Sequence, residues 1–381
     1  MRYHRYPTQA VESKTYPCKV SRKDTVLAIM GGVYDWDNMP LTVNNQTTEV
    51  EAQAIGKLTY DCGVVTRMEY SYYESSTYAW YAVDPLKNLF GYADAHLYNS
   101  GSNYNSIDMT SVRQSILSNL DAGYPVLMGL ISEKLDGHEI VGDGYGFDII
   151  TKALYLHVNM GFSGKEDAWY LWPKMSDFSQ VVDVVYNIMP DKKGQILSGR
   201  VTDKNGRAIR DAEVVVMATD NDTIIDRVST NFKGIFAFVL PGGVKYRLTA
   251  TSQGKSETIL TDELHISVDL KIDYNNRGYF DTTNMRAGNS WGNDIRMADI
   301  ELSVLEPLVI ADTLPAGEEY TPYHQKIAIT GGSAPYYFFP SNFPYTEDCS
   351  EACTFDADRG VTPFNSDEHF TDLTNSAELI T

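Results

Sequence analysis

The chain has 381 residues, enough for two or three domains that each bury a core. Its formal net charge of −20, from 31 Lys+Arg against 51 Asp+Glu, excludes nucleic acid and anionic membrane surfaces as natural partners. No apolar run reaches the length of a membrane span, and no leader peptide is recognisable at Met1.

In chain order, residues 1–20 read as a short helical end followed by a loop punctuated by Pro7 and Pro17. Residues 50–58 have helical periodicity, with Ala54, Ile55 and Leu58 on the side to be buried. Residues 78–90 read as helix or loop around Pro85. Residues 111–122 are a clearer helix, because Val112, Ile116, Leu117 and Leu120 recur at helical spacing and Gly123 can stop it. The apolar run at 125–131 predicts a buried strand. Segments 138–143, 153–158 and 168–172 predict further strands in a meander. A few helices followed by an antiparallel sheet make an α+β first domain.

Near Pro190 the texture changes. Short alternating strands with turns at Gly206 and at 230–234 predict a β-sandwich over 195–272. Residues 273–306 read as an Asn- and Gly-rich linker ending in a strand at 298–305. Residues 307–381 carry a Thr-Gly-Gly-Ser-Ala-Pro-Tyr run at 330–336.

The chemistry concentrates in two segments. Gly137-His138-Glu139-Ile140-Val141-Gly142-Asp143-Gly144 sets a histidine on an apolar strand. Leu156-His157-Val158-Asn159-Met160-Gly161-Phe162-Ser163-Gly164 follows with an asparagine in a glycine-rich loop. A base on a strand with an amide to orient it is the half of a thiolate–imidazolium site that does not carry the thiol.

Four segments in order resemble the streptopain family of bacterial cysteine peptidases over about residues 1–190. They are Met1-Arg2-Tyr3-His4-Arg5-Tyr6-Pro7, Tyr34-Asp35-Trp36-Asp37-Asn38-Met39-Pro40, Asp61-Cys62-Gly63-Val64-Val65-Thr66-Arg67-Met68-Glu69-Tyr70, and the histidine region. The resemblance implies a papain-like fold and proteolysis of protein or peptide substrates, with no cofactor or metal. It also implies an extracellular or cell-surface location. It makes His138 the general base and Asn159 the acceptor of the imidazole N–H that holds its tautomer.

The family's nucleophile opens the helix that ends in the Met-x-Tyr-His run. The resemblance therefore places that cysteine roughly two and a half helical turns before Met1. The expectation is a chain truncated ahead of its nucleophile and inactive as written. The alternative is a non-catalytic pseudo-peptidase acting as an extracellular binding or adhesion protein. The departures are Glu139, where the family has a small residue, Met160 and Phe162, where it has tryptophans, and Ser75-Ser76-Thr77, where it has Ser-Gly-Ala.

The sandwich at 195–272 resembles the carboxypeptidase-regulatory-like (transthyretin-like) domain, and 307–381 resembles part of a bacterial Ig-like repeat. Extracellular proteins or glycans are the ligands such modules imply.

Other candidates are weaker. Cys62 lies in a segment matching a different part of the family, and Cys18 lacks a helix start; neither is the expected nucleophile. Cys349 and Cys353 could pair locally or stay free thiols. His157 is expected in the core or on the sheet, and His4 in packing. Asp220-Asn221-Asp222 reads as a hairpin turn rather than a calcium site.

Overall fold

The computed structural model describes residues 1–41, 43–99, 109–148, 151–264, 298–302, 309–310, 329–330 and 370–372. The chain opens in a hydrogen-bonded turn rather than the expected helical end: Arg5 N–H donates to Arg2 O and Tyr6 N–H to Met1 O. A hairpin follows, β1 (Thr15–Val20) with β2 (Lys23–Ala28), where the sequence suggested only loop. Pro17 is tolerated because β1 is short and has a single neighbour there; the third strand, β3 (Glu69–Tyr70), pairs only with Lys19 and Val20.

Helix α1 (Glu49–Val65) extends a full two turns past the 50–58 pattern. Thr48 and Glu51 close a capping box at its start, each side chain satisfying the other's backbone N–H. Ala54, Leu58, Asp61, Val64 and Val65 face inward, while Ile55 is only half-buried. The segment around Pro85 forms the short helix α2 (Trp80–Asn88). These elements enclose the first core, around Tyr34, Met39, Leu58, Val64 and Phe90.

The second core lies beneath a large antiparallel sheet. Its strands are β4 (Asp94–Asn99), β5 (Val126–Ser132), β6 (Gly137–Asp148), β7 (Leu154–Asn159), β8 (Ala168–Leu171) and β9 (Phe178–Met189), in spatial order β4-β9-β5-β6-β7-β8. The predicted meander is β5 to β8. Strands β4 and β9 went unpredicted, and β9 returns to pair with β5 on the side away from β6. Helix α3 (Met109–Asp121) packs Val112, Ile116, Leu117 and Leu120 onto this core. Gly123, at φ +78°, terminates it with its N–H on Leu120 O.

The described residues 195–264 and 298–302 form a sandwich of two sheets, where one was expected over 195–272. One sheet orders β13 (Ile235–Leu240), β10 (Gln195–Asp203) and β16 (Ile300–Leu302). The other orders β12 (Ile224–Ser229), β11 (Glu213–Ala218), β14 (Tyr246–Ser252) and β15 (Lys255–Leu260). Their inner faces share one core, with Leu197, Val214, Phe238 and Leu248 at its centre. The strand expected at 298–305 is placed at Ile300–Leu302 and belongs to the sandwich, parallel to β10. The proposed linker and partial Ig-like repeat lie mostly outside the described residues, as do Cys349 and Cys353. Three short pieces are described there: β17 (Val309–Ile310) pairs with β18 (Ile329–Thr330), and β19 (Phe370–Asp372) adds to β6.

Candidate active site

Three of the four segments quoted above are tied to one another by hydrogen bonds. Arg2 donates from Nε and Nη2 to Met39 O, at 3.1 and 2.8 Å, and Trp36 Nε1 donates to Pro7 O at 3.0 Å. Asp61, fully buried on α1, accepts from Met30 N–H at 2.6 Å, Gly31 N–H at 3.0 Å and the Tyr34 hydroxyl at 2.8 Å. These residues build the helical half and carry no chemistry of their own.

His138 lies near the start of β6, opposite Leu130 of β5, and is half-buried. Its ring stacks on Phe162, with centroids 4.7 Å apart, and on Phe178 at 5.5 Å. Its Nε2 is 2.8 Å from Met160 O. A carbonyl can only accept, so Nε2 carries the proton and Nδ1 is left as the basic nitrogen. One atom is thus free to take a proton, and the opposite edge is held by a fixed dipole.

The expected bond from His138 to Asn159 is not formed. Asn159 spends its side chain on its own loop: Nδ2 donates to Asp167 Oδ2 at 3.0 Å and Oδ1 accepts the Gly161 N–H at 2.9 Å. Gly161 sits at φ +76°, so the chain turns directly after Met160 and directs the Met160 carbonyl, rather than the Asn159 amide, at the imidazole. Asp167 completes the clamp by accepting the Met160 N–H at 2.8 Å through Oδ1. No residue spacing marks Asp167 or a backbone acceptor, since both depend on how the loop closes.

This clamp makes a prediction. In Asp167→Ala, the Met160 N–H and the Asn159 amide lose their acceptor, and the carbonyl on His138 should lose its fixed position. Imidazole ¹⁵N shifts should then move from the pure Nε2–H pattern toward a tautomer average. Unchanged shifts would mean that the strand alone orients the ring.

The other sequence candidates lie elsewhere. The Cys18 thiol is buried and donates to Val64 O at 3.6 Å, and burial raises its pKa. The Cys62 thiol, on α1, lies 3.7 Å from Met1 Sδ, and burial pushes it up to about 11. Both environments oppose a thiolate. His157 is buried, with Nδ1 2.5 Å from Asp143 Oδ1 and its ring edge-on to Trp169. His4 packs against Tyr3 and Tyr124, and burial lowers its pKa to about 4. Asn221 Oδ1 accepts the Thr223 N–H within the β11–β12 connection, as a hairpin turn requires. Among the described residues, no group of three His, Cys, Asp or Glu side chains is placed to hold a metal. Among the same residues, no helix is long and apolar enough to cross a membrane.

Residues 1–170 match the Peptidase C10 family. The first domain is a Peptidase C10 domain of streptopain type. Residues 196–271 match the carboxypeptidase regulatory-like domain. Streptopain of Streptococcus pyogenes serotype M28 is 27% identical over 176 residues, which is 45% of this chain and 42% of that protein. Streptopain of serotype M1 is 27% identical over 177 residues, with the same coverage. The chain thus matches less than half the length of these curated relatives. Among solved structures, active wild-type interpain A cysteine protease of Prevotella intermedia aligns with a TM-score of 0.42 and 27% identity. The alignment covers 49% of this chain and 78% of that one. His138, Met160 and Phe162 all fall inside the matched Peptidase C10 span, whereas Phe178 lies just beyond it.

Proposed function

We propose that the Peptidase C10 domain is the base-bearing part of a cysteine endopeptidase that acts on proteins outside the cell. The observation that carries this is the His138 ring, held at Nε2 by the Met160 carbonyl with Nδ1 left as the base. In the whole protein, Nδ1 takes the proton of a cysteine thiol, and the thiolate attacks the peptide carbonyl. The imidazolium then returns the proton to the leaving amine. Asp167 and Asn159 act as positioning residues, through the loop that aims the Met160 carbonyl. The Phe162 and Phe178 faces shield that hydrogen bond from water, which strengthens it.

Neither described thiol touches His138, and both are held in the protonated form by burial. The described thiols therefore supply no nucleophile at His138, and the chain is not expected to cleave peptides through them. Incubation with casein should give no hydrolysis that a thiol-directed inhibitor blocks. Iodoacetamide should label Cys18 and Cys62 slowly, at rates indifferent to His138→Ala. A labelling rate that collapses in His138→Ala would reveal a thiolate–imidazolium pair and overturn this statement.

A longer product of the same gene that adds an upstream cysteine should hydrolyse casein. It should lose about 10³-fold or more of kcat/KM on His138→Ala. The same missing thiol–imidazole contact supports a second reading, a non-catalytic binding protein. That reading expects no hydrolysis from any product of the gene.

A further inference from the structure

The sandwich has four outer strands, β12 and β15 of one sheet and β13 and β16 of the other. Three of them carry charge: Asp226 and Arg227 on β12, Lys255 and Glu257 on β15, and Glu301 on the short β16. Charges on an outer strand keep its free edge from pairing with other chains. The fourth strand, β13, has six residues, Ile235-Phe236-Ala237-Phe238-Val239-Leu240, with no charge and no proline. Its register with β10 runs without a bulge. It has the sequence of an inner strand in an outer position.

The free edge of β13 offers backbone groups in a fixed pattern. The Val201 N–H of β10 donates to Gly234 O at 2.8 Å, while the neighbouring Arg200 N–H turns the other way, to Asp299. With that alternation, Phe236, Phe238 and Leu240 face β10 with their backbone groups, and Ile235, Ala237 and Val239 face outward. Asn231 closes the first of these, accepting the Ile235 N–H through Oδ1 and donating its own N–H to Ile235 O, both at 3.0 Å. Ala237 and Val239 have no backbone partner on that side among the described residues.

This edge opens into a cleft of about 330 Å³ between the two domains, within the range of ligand pockets, about 300–1,000 Å³. Residues 235–239 line it together with Asp226 and Val228 of β12, Tyr124 beyond α3, and Lys192. The domains are locked where they border it. Asp121, at the end of α3, accepts from the Tyr145 hydroxyl of β6 and, at 2.7 Å, from the Ser198 hydroxyl of β10. The Ile235 side chain belongs to the core beneath the large sheet. The cleft is therefore preformed. Its two unpaired residues present an N–H and a C=O each, at a repeat of about 6.7 Å along the strand. An extended polypeptide carries the matching groups at that repeat on every second residue, and a glycan does not.

We propose that this cleft is a docking site for an extended segment of another polypeptide, which joins β13 as the fourth strand of its sheet. Main-chain bonds to Ala237 and Val239 hold the segment, so recognition depends on an extended backbone more than on particular side chains. The proposal does not rest on the peptidase reading, since the site lies on the sandwich and uses neither His138 nor a thiol.

The test is fluorescence polarisation on the full chain with fluorescein-Thr-Val-Thr-Val-Thr-amide and its fully N-methylated twin, which has the same side chains and no backbone donor. The unmethylated peptide should bind at least about tenfold tighter. Ala237→Pro removes one outward N–H and none that β10 uses, a change that an outer strand tolerates. It should weaken the unmethylated peptide by about tenfold while leaving the urea midpoint of the protein close to the parent's. If Ala237→Pro does not fold, the two peptides on the unmodified chain decide the matter. Equal affinity for both peptides, unchanged affinity in a folded Ala237→Pro, or no binding up to about 1 mM would overturn the docking site. The peptidase reading is judged separately, by casein hydrolysis that depends on His138, so either can fail while the other stands.

Discussion

Asp61→Ala is expected to cost the Peptidase C10 domain about 4 kcal/mol of stability. The carboxylate is wholly buried and receives two backbone N–H groups and one hydroxyl, from Met30, Gly31 and Tyr34. Alanine would leave three donors with no acceptor and no route to water, at about 1–3 kcal/mol each before relaxation. It would also open a small cavity beneath α1. Asp61→Asn should lose less, because its amide oxygen can still accept while its NH₂ group faces donors. Tyr34→Phe, which removes one donor together with its bond, should cost about 1 kcal/mol. Urea unfolding of the three variants checks the ranking. A loss below about 1 kcal/mol for Asp61→Ala would show that the freed N–H groups find water.

The second large effect is a gain. Glu139→Gln should stabilise the protein relative to the parent, and the gain should grow by several kcal/mol between pH 5 and 9. The sign follows from the direction of the shifts. Burial raises Asp183 to about 7 and Glu139 to about 9, whereas unfolded carboxyls titrate near 4. Acids whose pKa is raised on folding contribute fully below the unfolded pKa. They lose that contribution as pH climbs through the folded values. The parent must therefore ionise a buried pair as the solution becomes alkaline. The glutamine variant has one carboxyl fewer to ionise, and its Asp183 no longer faces a second negative charge. Urea midpoints of both proteins at pH 5, 7 and 9 give the difference directly. A difference independent of pH would mean that the pair is hydrated and carries no strained charge.

Much of this architecture was visible in the residues. Helix α3 followed from the spacing of Val112, Ile116, Leu117 and Leu120. Strands β5 to β8 followed from short apolar runs between turn residues. The sandwich followed from alternating strands at regular intervals. These are local signals, in which periodicity alone decides which face is buried. The 50–58 pattern marked only the first half of α1. Its second half is anchored by an acid, Asp61, whose burial is explained by partners some thirty residues upstream. Strand β9 was missed although Val181, Val184 and Val185 are typical strand residues, because Asp183 interrupts the run. That same acid becomes intelligible once Gly129 is placed opposite it.

By itself, the sequence determined the kinship of the first domain, the position of His138 on a strand, the glycine-rich loop after it and the sandwich beyond. All of these are carried by residues close together in the chain. Tertiary structure decided which group holds the imidazole and what stands behind it. Asn159 was the natural choice from residue chemistry, yet the turn at Gly161 and the Asp167 clamp give the task to the Met160 carbonyl. The approach of Asp183 to Glu139 across Gly129 needs β9 to return beside β5 in one particular register. A shift of a single residue would send Asp183 to the opposite face. Backbone acceptors and cross-strand neighbours are set by register and loop closure, which are long-range properties of the folded chain.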